Sequence, residues 1–337
     1  MFLRAFRIVS VFRWLADAQA TYKRVPGLRF NGPISNLTDN TDKESSMSRI
    51  TRREFLAGAA ALATAGALTG GRSLTGAVAA APKLKTGTDL VTLGRRGLKT
   101  TLLGIGTGTN SGNEQRDLGQ DGFVKLARYA FDRGIRYIDT ADMYHMHIFV
   151  RFALQELPRD QMFVQTKTLA KHPEVAKADI ERFRRELKTD YLDSLLMHCM
   201  TNSGWPVDMR PVMDVLQDAK EKGRIRAVGI SCHGWDPLAA SVDVDWIDIQ
   251  LARINPFGMK MDGKPEDVAA LLKRMHDKGR GVIGMKIFGE GDCKTAEQRL
   301  QSLKYVLELG CVDCFTIGFG NTKQIDETLE LIEKALA

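Results

Sequence analysis

The sequence predicts an α/β fold, a (β/α)8 TIM barrel with an N-terminal β-hairpin, preceded by a cleavable leader. Eight apolar runs of strand length alternate with helical patterns, and repeated strand–helix units are typical of parallel sheets. From Pro82 the chain holds 256 residues, close to the ~250 typical of such a barrel. Several runs end in polar side chains, as barrel strands do where they carry functional residues.

Local signals bound the predicted elements. Gly134, Gly223 and Gly279 each follow a helical pattern, where a left-handed residue ends a helix. Thr295 and Gln298 have the spacing of a capping box. The predicted barrel strands are residues 102–106, 136–139, 163–167, 194–198, 226–231, 248–251, 282–286 and 314–318. The predicted helices include residues 122–133, 176–188, 211–222, 265–278 and 323–336, and residues 90–101 read as the hairpin.

A doubly wound sheet is the alternative to the barrel. When such a sheet binds a dinucleotide, it normally shows G-x-G-x-x-G after its first strand. The glycines after Leu103 fall at Gly104, Gly106 and Gly108, so the spacing fails. The pattern therefore favours the barrel.

Residues 47–81 read as an export signal. Arg52 and Arg53 precede an alanine-rich run, and Ala77 and Ala79 fit an A-x-A cleavage site. The run is too short and too poor in large side chains for a stable membrane span of about 20 residues. The segment resembles a twin-arginine signal, which bacteria use to export folded proteins through the Tat translocase. We expect an exported, periplasmic protein; a buried helix in a globular extension is the alternative.

The 46 residues before Met47 are unexpected upstream of an export signal. We interpret residues 1–46 as a disordered start-site extension, with translation beginning at Met47; a long, basic n-region is the alternative. Residues 1–81 contain 11 of the 48 Lys and Arg residues but 5 of the 41 Asp and Glu residues, so most of the net charge of +7 lies there. The charge therefore does not indicate nucleic-acid binding by residues 82–337.

Four polar residues are predicted to meet at the mouth of the barrel. Asp139, Lys167 and His198 end three successive strands, and Tyr144 closely follows the first of them. A phenol can protonate a nascent alkoxide, and a lysine cation beside it is expected to lower the pKa of the phenol. We predict Tyr144 as the general acid, assisted by Lys167 and Asp139, with His198 orienting the carbonyl.

The segments that carry these residues resemble the aldo-keto reductase family. They are GIRYIDTADMY, the Lys167 strand and DYLDSLLMH. LGRRGLKTTLLGIGTG, GRIRAVGIS and FTIGFGNTKQIDETLELIEKAL also resemble the family, in its order, from about Leu90 to the C-terminus. The resemblance implies an NAD(P)H-dependent oxidoreductase that interconverts a carbonyl compound and an alcohol. It also implies a cofactor groove across the barrel mouth without the G-x-G-x-x-G fingerprint.

The resemblance implies residues that bind the nicotinamide end of the cofactor. Ser231 and Gln250 match positions that hydrogen-bond the carboxamide, although Cys232 replaces the family's usual asparagine. Met285 and Lys286 stand where the family often stacks an aromatic side chain on the nicotinamide. Methionine can pack against a ring face, and the lysine would then face the pyrophosphate as a point charge.

Glycine loops and the C-terminal helix are implied at the other end of the cofactor. Glycines there would let backbone amides approach the phosphates. The glycines concerned are Gly289, Gly318 and Gly320. Gln324 replaces a basic residue of the family, and Glu327 matches an adenine-binding carboxylate. Lys323 is the only base in IGFGNTKQIDET, so we expect weak recognition of a 2′-phosphate and leave the choice between NADH and NADPH open.

The substrate pocket is less constrained by the sequence. His145 and His147 have a spacing that could bind a metal on a strand, but no carboxylate ligand is obvious nearby, so no metal site is predicted. We interpret them as pocket or helix-start residues. Trp205, Trp235 and Phe257 follow predicted strands and either wall an apolar pocket or pack within their loops.

Cysteine usage gives no sign of a disulfide scaffold. The five cysteines all lie beyond residue 82, and Cys311-x-x-Cys314 has no second pair to complete a metal site. We interpret the cysteines as small core side chains.

Two classes of function remain open from the sequence. The first is a carbonyl reductase, or an alcohol dehydrogenase in the reverse direction, acting on a small molecule. The second is a cofactor-retaining sensor or binding subunit on the same fold, since nicotinamide cofactors are not freely recycled outside the cytoplasm. A Schiff-base aldolase using Lys167 or Lys286 is less favoured, because Asp139 should keep Lys167 charged.

Overall fold

The strands predicted from the apolar runs form a closed parallel barrel in the computed structural model, which describes residues 83–337. Each barrel strand pairs with its neighbours in sequence, and the last strand pairs with the first, so the barrel prediction is confirmed. The strands are β1 (Leu90–Leu93) and β2 (Leu98–Thr101) in the hairpin, then β3 (Leu103–Gly106), β4 (Tyr137–Asp139), β5 (Phe163–Thr168), β6 (Leu192–Met200), β7 (Ile225–Cys232), β8 (Ile249–Arg253), β9 (Gly281–Met285) and β10 (Cys314–Gly318) in the barrel.

The predicted hairpin closes one end of the barrel. β1 and β2 pair antiparallel across a turn in which Gly94 and Gly97 have positive φ. Leu93 is buried in the cluster of side chains that fills the barrel interior. The amide of Arg95 donates to the carbonyl of Gly279, just before β9 begins, at 2.6 Å. Because this contact lies at the amino end of a barrel strand, the opposite, carboxyl end is left open for a site.

Helices surround the barrel at the positions that the patterns predicted. They are α1 (Asn113–Arg116), α2 (Gly119–Asp132), α3 (His147–Glu156), α4 (Pro173–Leu187), α5 (Trp205–Asp208), α6 (Arg210–Glu221), α7 (Trp235–Ser241), α8 (Pro265–Asp277), α9 (Ala296–Glu308) and α10 (Thr322–Leu336). The three predicted C′ glycines have φ values of +102°, +71° and +79°. The predicted capping box starts α9, with Thr295 and Gln298 hydrogen-bonded to each other's backbone amides.

Two apolar layers hold this architecture together. The larger layer lies between the strands and the helices, and the smaller one fills the barrel interior. Burying a side chain such as Phe183 or Ile138 in the larger layer stabilises the fold by roughly 1.5–3 kcal/mol each. The five cysteines are free, and four of them are buried, consistent with the core side chains predicted for them. The strands that carry the predicted catalytic residues thus rest on a well-packed core.

The predictions for the leader lie outside the part of the chain that the structure describes. The start-site extension at residues 1–46 and the signal at residues 47–81 therefore stay predictions. Within residues 83–337, no helix combines the length and the apolar character needed to cross a bilayer.

Candidate active site

The four predicted catalytic residues come together at the carboxyl end of the barrel. Asp139 is the last residue of β4, Lys167 lies near the end of β5, and His198 lies towards the end of β6. Tyr144 ends a short 3-10 turn, Asp142–Tyr144, in the loop that follows β4. The parallel register pairs Asp139 with Gln165 and Lys167 with Leu196, so each residue lies two positions farther along its strand than the partner of the one before. Tyr144 follows Asp139 by only five residues, which keeps the phenol close to this strand end.

Lys167 and Asp139 form a buried ion pair. The ammonium lies 2.7 and 2.9 Å from the two carboxylate oxygens and 2.8 Å from the carbonyl of Thr140, so its three donors are satisfied. The amide of Gln165 donates a further hydrogen bond to Asp139 at 2.9 Å. Burial lowers the pKa of Lys167, and the Asp139 carboxylate opposes that change. The geometry favours a charged lysine, because Asp139 bonds it through both oxygens.

The environment of Tyr144 corrects one expectation from the sequence. The Lys167 ammonium lies 4.9 Å from the centroid of the Tyr144 ring. Burial nevertheless raises the pKa of Tyr144, and the Asp139 carboxylate raises it further. The predicted lowering of this pKa is therefore wrong for this arrangement, because burial and the Asp139 carboxylate together outweigh the effect of the Lys167 charge. A phenol held in this way keeps its proton at neutral pH and suits the role of an acid.

The position of the Tyr144 ring is fixed by close packing. A Cβ atom on Gly108 would lie 2.6 Å from Cζ of Tyr144, so only glycine fits there. On the other side, Arg116 donates a short hydrogen bond to the carbonyl of Tyr144. His145, which follows, has a left-handed backbone with φ +54°. A glycine would adopt that conformation without strain, whereas histidine does so at a cost.

His198 is a neutral imidazole facing Tyr144. The two ring centroids are 5.6 Å apart, with an angle of 89° between the planes. Burial lowers the pKa of His198 to about 2, and the neighbouring Lys167 and His233 contribute. Its Nδ1 atom has no hydrogen-bond partner among the described residues. A neutral ring keeps one N–H donor and one acceptor, which suits hydrogen bonding to a carbonyl oxygen.

A groove of about 210 Å³ runs from the catalytic residues to the C-terminal helix. Of the predicted cofactor residues, it is lined by Met285, Lys286, Gly318, Gln324 and Glu327. Asp139 and Tyr144, two of the predicted catalytic residues, also line it. The groove therefore connects the predicted catalytic residues with the residues predicted to bind the adenosine end of the cofactor.

Ser231 and Gln250 are placed differently. Both are fully buried and neither lines the groove. The Ser231 hydroxyl accepts a hydrogen bond from the amide of Cys199 at 3.0 Å. The side-chain oxygen of Gln250 accepts one from Ser241 at 3.1 Å. Because neither side chain reaches the groove in this structure, their cofactor roles stay predictions.

The two glycines predicted to approach the phosphates, Gly289 and Gly320, are not among the groove-lining residues. Gly289 is buried with φ +60° and starts the turn Gly289–Gly291, whose other two residues do line the groove. The amide of Gly320 donates to the side-chain oxygen of Gln324 at 2.7 Å. These glycines shape the loops behind the groove.

Lys286 is paired within the protein. Its ammonium lies 2.6 Å from a carboxylate oxygen of Glu290, and the same oxygen accepts a hydrogen bond from the amide of Asn110 at 3.1 Å. The Glu290 carboxylate therefore competes with any phosphate for Lys286. Nothing in the sequence pattern other than the acidic residue of IFGEG pointed to this contact.

Arg299, Thr316 and Glu114 also line the groove and were missed by the sequence reasoning. Arg299 has no ion-pair partner among the described residues, and it lies on α9, outside the segment searched for a 2′-phosphate partner. Thr316 lies on the barrel strand β10, and its hydroxyl has no hydrogen-bond partner within residues 83–337. Its position inside an apolar strand gave no signal.

The predicted pocket residues divide into packing and surface groups. Trp205 is fully buried, and its indole N–H donates to the carbonyl of Pro237 at 3.1 Å, so it packs within its loops. Trp235 is exposed and covers Gly263.

His147 is buried at the start of α3, which confirms the helix-start interpretation, and His145 is exposed. His233, which the sequence did not single out, lies 6.5 Å from His198 between ring centroids.

Carboxylates that the sequence did not reveal lie beside His147. Asp142, His147 and Glu186 offer ligand atoms within 4.8 Å of one another. The guanidinium of Arg182 already lies among the two carboxylates, at 2.7 Å from Asp142 and 3.1 Å from Glu186. A metal ion would have to displace this cation, so the cluster is an ion-pair network.

The sequence of this chain is similar to those of known proteins. A family model described as Aldo/keto reductase family matches residues 102–302. An NADH-specific methylglyoxal reductase of Escherichia coli is 30% identical over 188 residues, which cover 49% of this chain and 53% of that protein. An aldo-keto reductase of Bacillus subtilis is 29% identical over 152 residues, covering 40% and 44%. The chain thus spans about half the length of the curated relatives it matches.

Solved structures share the fold. The holo form of an aldo-keto reductase from Bacillus halodurans superposes with a TM-score of 0.61 at 17% identity, covering 74% of this chain and 95% of that one. At that identity, the likeness concerns the barrel architecture.

Proposed function

This chain belongs to the aldo/keto reductase family, and from that premise we propose that it reduces an aldehyde or ketone to an alcohol with a nicotinamide cofactor, or catalyses the reverse reaction. One observation carries the proposal. Tyr144 and Asp139 line one end of a groove that reaches the C-terminal helix, with Lys167 paired to Asp139 and the ring of His198 packed against Tyr144.

The residues of the groove fit a dinucleotide. A Cβ atom on Gly318 would lie 1.9 Å from the hydroxyl of Thr109, so backbone alone can form this part of the wall. Thr316 also lines the groove, and its buried hydroxyl has no hydrogen-bond partner among the described residues. Met285 would pack near the nicotinamide, while Gln324 and Glu327 would contact the adenosine end. A bound NAD(P)H would supply a hydride next to Tyr144.

Tyr144 donates the proton of its hydroxyl to the carbonyl oxygen as that oxygen gains negative charge. Its raised pKa keeps the proton in place until an alkoxide, which is more basic, is forming. The ammonium of Lys167, 4.9 Å from the ring, stabilises the phenolate that results. Asp139 holds that ammonium in position, and the phenolate then takes a proton from water.

His198 orients the carbonyl group. Because burial keeps its imidazole neutral, it can donate a hydrogen bond to the carbonyl oxygen without competing with Tyr144 as an acid. The two rings pack edge to face with their centroids 5.6 Å apart, which is close enough for both side chains to contact one carbonyl oxygen. Two donors that converge on one oxygen fix the angle at which the carbonyl carbon is approached.

We propose a small carbonyl compound as the substrate and NADH, or either cofactor with little selectivity, as the donor. The similarity to the methylglyoxal reductase of Escherichia coli supports both parts, since that protein is described as NADH-specific. The single base of the adenosine segment, Lys323, is 83% exposed and lies 3.7 Å from Glu327, which weakens it as a phosphate ligand. Arg299 also lines the groove, and a contact between its guanidinium and the 2′-phosphate would shift the preference toward NADPH.

The alternative function is a cofactor-retaining sensor or binding subunit, and it is supported by the residues predicted to bind the nicotinamide. Ser231 and Gln250 are engaged by protein partners there. A direct assay separates the two functions. Protein purified without denaturants is analysed by mass spectrometry for retained NAD(H) or NADP(H), then supplied with aldehydes and cofactor deuterated at C4. We expect an alcohol that carries the deuterium. Retained cofactor without any alcohol from a broad aldehyde panel would support the binding subunit instead.

Export through the twin-arginine pathway is a separate proposal, and it rests on residues 47–81 alone. The run after Arg52 and Arg53 is too weakly apolar to act as an anchor, so recognition should depend on the two arginines. Replacing both with lysine should leave unprocessed protein in the cytoplasm. Processed protein that still appears outside the inner membrane of the double variant would defeat this proposal.

A further inference from the structure

A polar network outside the barrel flanks the two residues that handle the proton. Arg182 on α4 donates to both carboxylate oxygens of Asp142, at 2.7 and 2.8 Å. It also donates to Asp179 at 2.7 Å and to Glu186 at 3.1 Å. One planar guanidinium thus joins three carboxylates, in a fork geometry that lysine cannot reproduce. We call this set the Arg182 cluster: Arg182, Asp142, Asp179, Glu186, His147, Thr166 and Thr168.

The cluster anchors the segment that carries Tyr144 at both ends. Asp142 opens the 3-10 turn that Tyr144 closes, and it lies two residues before the tyrosine. His147 lies three residues after it, is buried, and bonds Glu186 through Nδ1 at 2.7 Å. The segment between these anchors contains the left-handed His145, and its own backbone hydrogen bonds are those of a single 3-10 turn, from Tyr144 to Ala141 and from His145 to Asp142. The contacts at its two ends therefore add to the packing of Gly108 and the hydrogen bond from Arg116 in holding the segment in place.

The same cluster anchors β5 on either side of Lys167. The Nε2 atom of His147 lies 2.7 Å from the hydroxyl of Thr166. The hydroxyl of Thr168 donates to Asp179 at 2.6 Å. Successive side chains of a strand alternate between its faces, so these two threonines point outward while Lys167 points into the barrel. Residues next to Tyr144 and residues next to Lys167 are thus connected by hydrogen bonds to the same guanidinium, that of Arg182.

The charged groups of the Arg182 cluster stabilise one another. Hydrogen bonds from Arg182 lower the pKa of Asp142, and the three acceptors raise the pKa of Arg182. Burial lowers the pKa of His147, with Glu186 opposing. A neutral His147 can donate to Glu186 from Nδ1 while it accepts from Thr166 at Nε2, so both ring nitrogens are satisfied. The cluster is complete without any further ion.

We propose that Arg182 is a positioning residue for the reduction, which sets the distance between the Tyr144 phenol and the Lys167 ammonium from outside the barrel. This inference rests on the proposed function for its kinetic consequence, but the geometric claim can be measured independently. Arg182 touches neither substrate nor cofactor in this arrangement, since it does not line the groove. Its effect must therefore pass through Asp142 and the β5 threonines.

The first arm of the test is kinetic. Arg182→Met should lower kcat for aldehyde reduction by roughly 10- to 100-fold, the cost expected for a misplaced catalytic group, while the Kd of the cofactor changes little. Arg184→Met is the matched control, because Arg184 lies on the same helix and bonds Glu181 at 2.8 Å, away from both catalytic segments. The control should retain the rate of the native protein. In a Tyr144→Phe background, Arg182→Met should cause no comparable further loss.

The second arm needs no turnover. With 3-fluorotyrosine placed at position 144 of the full chain, the fluorine NMR signal should shift or broaden in Arg182→Met and not in Arg184→Met. If Arg182→Met does not fold, Arg182→Lys replaces it, with an intermediate effect expected on both rate and signal.

The outcomes separate the two proposals. An unchanged fluorine signal in the Arg182 variant, or an equal further loss of rate in the Tyr144→Phe background, would overturn the positioning role. A native protein that reduces no carbonyl compound would remove the proposed function alone, and the fluorine signal would still decide the role of Arg182.

Discussion

Replacing Lys167 with methionine tests the buried ion pair on which the site is built. Methionine has nearly the length of the lysine stem but no charge, so the barrel interior stays filled. Asp139, 4% exposed, would keep only the 2.9 Å hydrogen bond from Gln165 among its present side-chain donors. Removing one partner of a buried pair costs about 3–5 kcal/mol of the free energy of unfolding, because the other charge is left uncompensated. For a barrel of this size, that lowers Tm by roughly 6–20 °C.

Urea unfolding followed by circular dichroism measures this cost directly. Lys177→Met serves as the control, because Lys177 pairs with Glu174 at the surface and its removal should cost less than about 1 kcal/mol. The double variant Lys167→Met with Asp139→Asn removes both charges and should recover part of the lost stability. A Lys167→Met protein that unfolds at the same urea concentration as the native chain would show that the pair is not buried as described. Carbonyl reduction should also fall, since the Tyr144 phenolate loses its neighbouring cation.

Three further predictions concern the groove, the loop and pH. His145→Gly should raise the free energy of unfolding by about 0.5–1 kcal/mol, because glycine relieves the left-handed backbone at φ +54°; His145→Ala, which keeps a Cβ, should show no gain in the same urea titration. Arg299→Met should weaken NADPH binding roughly tenfold, the worth of a charged hydrogen bond, and leave NADH binding nearly unchanged in isothermal titration, whereas Lys323→Met should do little. Equal losses for both cofactors would show that Arg299 does not read the 2′-phosphate. Asp313 accepts from His276 at 3.2 Å and raises its pKa, so the stability from this pair is complete below the unfolded pKa of about 6.5 and is lost as pH rises through the folded value. His276→Gln should remove that pH dependence; identical pH profiles of unfolding in both proteins would contradict the assignment.

The barrel could be predicted because each strand carries its own local signal. An apolar run of five residues, a glycine after the preceding helix and a polar residue at the strand end are all readable without knowing the partners. The strand bounds shift where pairing decides them: β6 runs from Leu192 to Met200, beyond the predicted 194–198, because its neighbour β7 offers partners along that length. The juxtaposition of Asp139, Lys167 and His198 was predictable for the same reason, since parallel strands bring their ends together.

The parts that could not be predicted depend on side chains distant in sequence. Asp142 and Arg182 are 40 residues apart, and their contact follows from the rotation of α4 against the loop after β4. The pairing of Lys286 with Glu290 follows from two left-handed residues, neither of which is a glycine. The sign of the change in the Tyr144 pKa was wrong, because burial and the charge of Asp139 outweigh the lysine.

Tyr144→Phe tests the central claim most directly. The substitution removes one hydroxyl and leaves the ring against Gly108 and the groove intact. We measure single-turnover reduction of an aldehyde and the Kd of the cofactor for the native and variant proteins. The reduction rate should fall by about 10²–10⁴-fold, the usual contribution of a positioned acid, while the Kd changes little. Equal rates in the two proteins, with cofactor bound in both, would contradict Tyr144 as the proton donor.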